Sequence, residues 1–498
     1  MSDTPTQASA PQPQVRSIRL VLASTALLLL LASLDQTIVT TALPTIVADL
    51  GGVEHLSWVV TAYFLASTVV APLYGKLGDL YGRRNTIFVS VTLFLLGSAL
   101  CGLAQNMLFL ILARALQGLG GGGLFVLALS VIGEVIPPRE RGKVQGLFAA
   151  VFSLSSVLGP LIGGWFVDVF SWHWIFYINL PVGLVAIAIF AASFKPTGRR
   201  VKHKIDWAGA AFLTIALASL TLFTSLGGRS FAWTSPQTIG LAALTLFATL
   251  AFLRAETKAA EPILPLGLFR LNVFWTSSVV GFIAGASMFG TITFLPVYLQ
   301  IARGVTPTIS GLMMVPMTLG LLTASNLSGR YMRRTGRYGV LPRIGTSLLV
   351  VGMLLLTQIE AASPALYVFA SIATVGLGMG SILPVLTTSV QSAVPREQLG
   401  TATASGIMFR QIGGALAVAV FGAIFAARLG MGDSAESLSP ELIASLPEAA
   451  RAVIGDKVSQ ALHPVFWLAA GLGLVGLAFS LLLKEIPLFS NAPKAETA

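Results

Sequence analysis

The stretch GKLGDLYGRR, Gly75 to Arg84, separates two apolar runs and returns later in the chain. Gly75 and the pair Gly82–Arg83 recur as Gly329 and Gly336–Arg337, with six residues between the glycines both times and an offset of 254. Leu43–Pro44 recurs as Leu295–Pro296, an offset of 252, and Gly118–Leu119–Gly120 as Gly376–Leu377–Gly378, an offset of 258. Three matches in one order at nearly one offset describe a duplicated chain. Two like-oriented halves enclosing a site near the membrane midplane are a transporter architecture.

Outward from this stretch, fourteen apolar runs fall at 20–44, 57–75, 86–104, 107–132, 144–168, 173–193, 207–226, 237–255, 272–299, 308–328, 343–361, 365–391, 401–427 and 462–484. Each comes near or above the roughly 20 residues that cross the hydrocarbon layer as a helix. Only 10% of the 498 residues are charged and 55% are hydrophobic, too few polar groups to clothe soluble domains. The 50 glycines suit membrane helices, which approach closely through small residues. The expected fold is an all-α membrane protein of fourteen transmembrane helices, two six-helix halves plus two inserted central helices. The expected division is a polar tail at 1–15, the first half at 16–200 and the inserted pair at 201–260. A second half at 261–486 carries an outer loop at 428–461, and a tail follows at 487–498. The outer loop contains ELIASLPEAARAVI, expected to form a short surface helix.

The net charge of +11 is no nucleic-acid signature, because the basic residues punctuate the apolar runs instead of clustering with aromatics. Of the 31 lysines and arginines, 24 fall on the side of the termini, five on the other side, and Arg114 and Arg410 within spans. The positive-inside rule then places both termini in the cytoplasm, with an inner bacterial membrane as the expected location. The one cysteine, Cys101, excludes an internal disulfide framework. No histidine pair has metal-ligand spacing, so no metal is expected. No GxxxxGK[ST], HExxH or GxSxG motif occurs, which argues against a fused ATPase or a hydrolase. The expectation is therefore no enzyme and no cofactor, with a proton gradient as the energy source. The expected partners are small-molecule substrates, protons and the lipid bilayer, and the oligomeric state stays open, a monomer being admissible.

Asp35 alone among the 20 acidic residues lies well inside a span. Charge in hydrocarbon is expensive, so such a group faces a cavity or a partner. A carboxyl whose proton affinity is raised by low dielectric and lowered by a nearby cation can load and release a proton. The alternative is a permanent structural pair with an arginine. Asp35 lies nine residues before Pro44 and Arg114 eight after Asn106, so at about 1.5 Å per residue they reach a similar depth. Gln36, Tyr63, Phe64, Gln117, Asn179 and Arg410 are the other candidates for the cavity. Tyr63 and Phe64 could hold a lipophilic cation by cation–π contact, and Arg410 is either a gate or substrate contact or is bonded to carbonyls. In the opening stretch, Gly78 and Gly82 permit a tight turn, and Gly75 belongs with them. Asp79 can cap a helix N-terminus, while Arg83 and Arg84 can reach opposing carboxylates, which together describe a conformational latch. In the repeat copy Arg333 replaces Asp79.

The stretch GKLGDLYGRR resembles the signature between spans 2 and 3 of the major facilitator superfamily. ARALQGLGGG, around Arg114, resembles its fourth-span motif, and SSVLGPLIGG, around Gly159, Pro160, Gly163 and Gly164, resembles the fifth-span motif of its antiporters. LDQTIVTTALP in span 1 and SWHWIFYINLP at span 6 resemble the fourteen-span drug/proton antiporter family, and the resemblance covers roughly residues 20–485. It implies that spans 1 and 4 adjoin, bringing Asp35 to Arg114. It also implies a role for the fifth-span glycines and Pro160 in antiport, although a packing kink explains the same residues. The implied function is multidrug efflux, the proton-coupled export of hydrophobic, cationic small molecules by alternating access. The alternatives are a dedicated exporter of a lipid, siderophore or metabolite, and a membrane receptor or scaffold that transports nothing.

Overall fold

The computed structural model describes residues 18–51, 56–194, 206–228, 231–429 and 448–488. The N-terminal tail, loop residues 430–447, most of the C-terminal tail and the side chain of Pro160 lie outside the described residues.

The first group of helices is α1 (Ile18–Leu50), α2 (Leu56–Tyr81), α3 (Arg83–Gly102), α4 (Met107–Val135), α5 (Pro138–Val169), the short α6 (Trp174–Tyr177) and α7 (Asn179–Ser193). Next come α8 (Trp207–Leu226) and α9 (Pro236–Glu256). The second group is α10 (Asn272–Val297), α11 (Pro307–Met313), α12 (Val315–Thr335), α13 (Val340–Leu356), α14 (Ala365–Ala393), α15 (Leu399–Leu429) and α16 (Glu448–Leu481). Twelve helical segments are long and apolar enough to cross a membrane. The expected spans 144–168 and 343–361 fall on α5 and α13. The latter has only 17 residues, about 25 Å of helix. The expected span overshoots the helix, which ends at Leu356 where Thr357, Gln358 and Glu360 interrupt the apolar run. A second difference is at the end of the expected outer loop. Residues 448–454 do not belong to a separate surface helix but begin α16, which continues unbroken to Leu481.

Local chemistry sets the helix ends. The Asn106 side chain accepts from Phe109 N–H at 2.9 Å and starts α4, and Asp206 accepts from Gly209 N–H at 2.8 Å and starts α8. Ser235 and Thr306 cap α9 and α11, each followed by a proline that needs no N–H partner. Gly82 and Gly336 take φ of +86° and +69°, conformations closed to most side chains, so the related loops turn tightly in both halves.

Helix α4 is central, packed between α2 and α3. Its glycines make this approach possible. A Cβ on Gly118 or Gly122 would strike the carbonyls of Tyr63 or Ser67 in α2, and one on Gly120 would strike the Phe94 backbone in α3. Helix α1 packs on α5 and α7; in the second group α10 packs on α15 and α16, and α14 on α12 and α13. The α8–α9 hairpin is peripheral, resting through α8 on α2 and α15. Only 17% of the apolar window of α9 is buried, against 78% for α4, and Leu246 and Phe247 are exposed. An apolar surface of that kind belongs in lipid.

The two groups meet along α2–α15 and α5–α12. Gly75 abuts Gly400 and Ala404, Gly142 abuts Gly329, and Gly146 faces Ser325. Gln391 donates to the Leu129 carbonyl at 3.0 Å, and Arg139 to the Leu488 carbonyl at 2.7 Å. All these contacts lie toward the end that carries residues 18 and 488, so the molecule is closed there.

Candidate functional site

Asp35 and Arg114 do meet. Asp35 is fully buried, and its Oδ2 accepts from Arg114 Nη1 at 2.7 Å. Its Oδ1 accepts from Gln117 Nε2 at 2.7 Å and Asn179 Nδ2 at 2.9 Å. Helices α1, α4 and α7 thus supply a carboxylate, a cation and two amides. Arg114 also donates to the Val59 carbonyl at 3.2 Å and to Gln117 Oε1 at 2.6 Å. Its guanidinium lies 4.4 Å from the Tyr63 ring centroid and 5.8 Å from that of Phe176. The Tyr63 face, expected to hold a substrate cation, is here turned to the protein's own arginine. Ser98 of α3, which the sequence reading passed over, accepts from Gln117 at 2.6 Å and Asn179 at 3.1 Å and so positions both amides. A serine in an apolar helix is too ordinary to announce this.

Gln117 and Asn179, expected to line a cavity, are themselves fully buried around the carboxylate. Tyr63 is buried as well, Gln36 lies half-buried beside its hydroxyl, and Phe64 stacks on it edge-on while remaining exposed. The arrangement can act as a switch. Arg114, Gln117 and Asn179 all donate to the one carboxylate. A proton on Asp35 would cancel the pair and leave Arg114 to a carbonyl, an amide oxygen and two ring faces.

At the closed end, Asp79 accepts from Gly400 N–H at 2.9 Å, Thr401 N–H at 2.7 Å and Thr401 Oγ1 at 2.8 Å, and pairs with Arg83. The expected helix cap is thus real, and the helix it caps, α15, belongs to the other group. Gly78 lies against Arg83, which also faces Glu134 at 3.7 Å. Arg84 differs from the expectation: it bonds the Ala191 carbonyl at 3.4 Å and covers the Phe88 ring, where apolar neighbours offer no acid. Lys76 pairs with Glu261 at 3.0 Å, joining this loop to the segment after α9.

In α5, Gly159 and Gly163 press on Thr37, Thr41 and Ile38 of α1, whereas a Cβ on Gly164 would meet open space. Thr37, two residues after Asp35 in α1, donates to the Ser155 carbonyl at 3.0 Å. Arg410 is remote from Asp35 and borders a separate small cavity between α10, α14 and α15. No group of three or more His, Cys, Asp or Glu side chains able to hold a metal occurs among the described residues.

Among the described residues, twelve helical segments long and apolar enough to cross a membrane make this a multi-pass membrane protein. The family model of the Major Facilitator Superfamily matches residues 25–418, and the chain belongs to that superfamily. It is 37% identical to the multidrug transporter protein MdtP of Bacillus subtilis, covering 93% of this chain and 92% of that one. It is also 39% identical to an uncharacterized MFS-type transporter of Mycobacterium tuberculosis, over 97% of this chain and 72% of the other. Among solved structures it resembles the proton:xylose symporter XylE bound to 6-bromo-6-deoxy-D-glucose, with a TM-score of 0.60 at 15% identity, covering 93% and 94% of the chains. The human organic anion transporter MFSD10 gives 0.61 at 18% identity, covering 93% and 99%. At such identities these structures speak for the fold alone.

Proposed function

We propose that this transporter exports hydrophobic small molecules, cationic ones among them, in exchange for protons. Asp35 is the proton carrier and Arg114 the group that sets its affinity. The observation that carries this reading is the buried set Asp35, Arg114, Gln117 and Asn179, an acid hydrogen-bonded to a cation and two amides at mid-depth of α1. Efflux as the task is supported by the multidrug transporter MdtP, a relative along nearly the whole chain. A lipophilic cation reaching Tyr63 and Phe176 competes with Arg114 for the same ring faces, and a proton on Asp35 releases Arg114 to hold them. Proton and substrate then exclude each other, as an exchanger requires.

The packing and the repeat support the division into halves 16–200 and 261–486 around an inserted pair. Counting α5 and α13 with the twelve apolar segments gives fourteen spans in this reading. The end carrying residues 18 and 488 is cytoplasmic by the positive-inside rule in an inner membrane, so the closed end faces the cytoplasm. Asp79 on α15 is its latch, and the Gly159–Pro160 and Gly163–Gly164 segment lets α1 and α5 slide on each other.

The test uses inverted vesicles acidified inside. Adding a lipophilic cationic dye should release protons with wild-type protein, and Asp35→Asn should abolish the release while inserting normally. Undiminished dye export by Asp35→Asn would remove Asp35 from the mechanism.

A further inference from the structure

Arg410 has no partner of the kind that Arg114 has. It sits eleven residues into α15, beyond the turn held by Asp79. Among the described residues no carboxylate lies within ion-pair distance of it, and no acceptor takes its guanidinium N–H groups. A lone cation at this depth is costly and calls for a counter-charge or polar contacts.

The cavity that Arg410 borders has a volume of about 30 Å³, and Ser277, Ser278, Thr387, Thr403 and Ile407 line it with the guanidinium. That is room for one small ion or the oxygens of one acidic group. The hydroxyls have already spent their protons. Ser278 donates to the Phe274 carbonyl at 2.8 Å, Thr387 to that of Leu383 at 3.1 Å, and Thr403 to that of Leu399 at 2.6 Å. Ser389 donates to the Leu386 carbonyl at 2.8 Å, so Ser277 is the donor in their 3.3 Å contact. The free donors of the cavity are therefore those of Arg410, whose planar fork matches a carboxylate and pairs with a halide.

We propose that Arg410 and this cavity form an anion subsite that takes one monovalent anionic group, either a free halide or the carboxylate of a transported molecule. It is independent of the Asp35 pair, which is internally neutral, and it lies behind the closed end. Its connection to export rests on the function proposed above; its occupancy does not.

The test therefore reads binding on the purified full-length protein. Thermal unfolding is followed in chloride-free sulfate buffer at constant ionic strength, sulfate being divalent and carrying no carboxylate, with sodium chloride, 2-naphthoate or the uncharged methyl 2-naphthoate added. Wild type should be stabilised saturably by chloride, by naphthoate or by both, and not by the ester. Stabilisation by chloride alone assigns the site to a free halide, and naphthoate stabilisation that chloride competes away assigns it to carboxylate-bearing molecules as well. Arg410→Gln should weaken the apparent affinity at least about tenfold, and Arg410→Lys should keep part of it. Should the glutamine variant fail to fold, the lysine variant's intermediate affinity carries the comparison. Absence of any anion effect, or an equal effect in the Arg410 variants, overturns the subsite. Proton exchange failing in vesicles while anion binding persists would overturn the export reading and leave the subsite standing.

Discussion

Asp35 and Arg114 are stable in the interior because each answers the other. Removing one partner of a buried pair costs about 3–5 kcal/mol, since the remaining charge is left unanswered. Arg114→Gln should therefore lower the thermal midpoint of the purified protein more than the Asp35→Asn, Arg114→Gln double variant does. A double-mutant cycle of midpoints checks this, and strictly additive losses would mean that the pair is not coupled. This site was half legible from sequence. A charge in an apolar run has few innocent explanations, so Asp35, Arg114 and Arg410 stood out at once. The order of the helices in space decided the rest. Gln117 and Asn179 proved to be ligands of the carboxylate instead of cavity walls, and Ser98 had no sequence signal because serine can always satisfy itself on its own helix.

At the scale of elements, the proposed latch is the junction of the last turn of α2 with the first turn of α15. Asp79 accepts two backbone N–H bonds and a hydroxyl there, a position that the helix dipole also favours. Hydrogen bonds to a charged group contribute about 1.5–3 kcal/mol each at most, enough to bias an open–closed equilibrium by tenfold or more. In a Cys101→Ala background, Ser325→Cys, buried at the closed end, should react with a water-soluble maleimide about tenfold faster when Asp79→Ala is added. Equal rates would show that Asp79 does not hold this end shut. The nearby Lys76–Glu261 pair is partly exposed, with side-chain accessibilities of 15% and 30%. Such pairs contribute about 0–1 kcal/mol, so Lys76→Ala should leave the thermal midpoint nearly unchanged, and a large drop would reveal a tighter role for the α8–α9 hairpin. The sequence showed Asp79 as a cap but not which helix it caps, because a cap from a distant element leaves no local pattern. Elements were otherwise well marked by hydropathy. The expected span at α13 ran past Leu356 into Thr357, Gln358 and Glu360, where the helix stops, and helix continues before Leu462 although charged residues of α16 stand there.

For the whole molecule, the closed end defines what has to move. Gly142 against Gly329 and Gly146 against Ser325 bring α5 and α12 close together, with the Met332 side chain seated against Gly142. To part, the two groups give up this approach, the apolar contacts of α2 and α5 with α15, the Asp79 cap, and the bonds from Gln391 and Arg139. Alternating access requires that they part in every cycle. Cysteines at Gly146 and Ser325 in the Cys101→Ala background, joined by a short bifunctional thiol reagent, should therefore stop dye export. Single-cysteine controls treated alike should continue, and a reducible version of the linker should return activity on reduction. Export that persists through a complete crosslink would place the moving interface elsewhere, for instance along α2 and α15. In that case the packed glycines of α5 and α12 would be a fixed hinge on which the rest of the bundle turns.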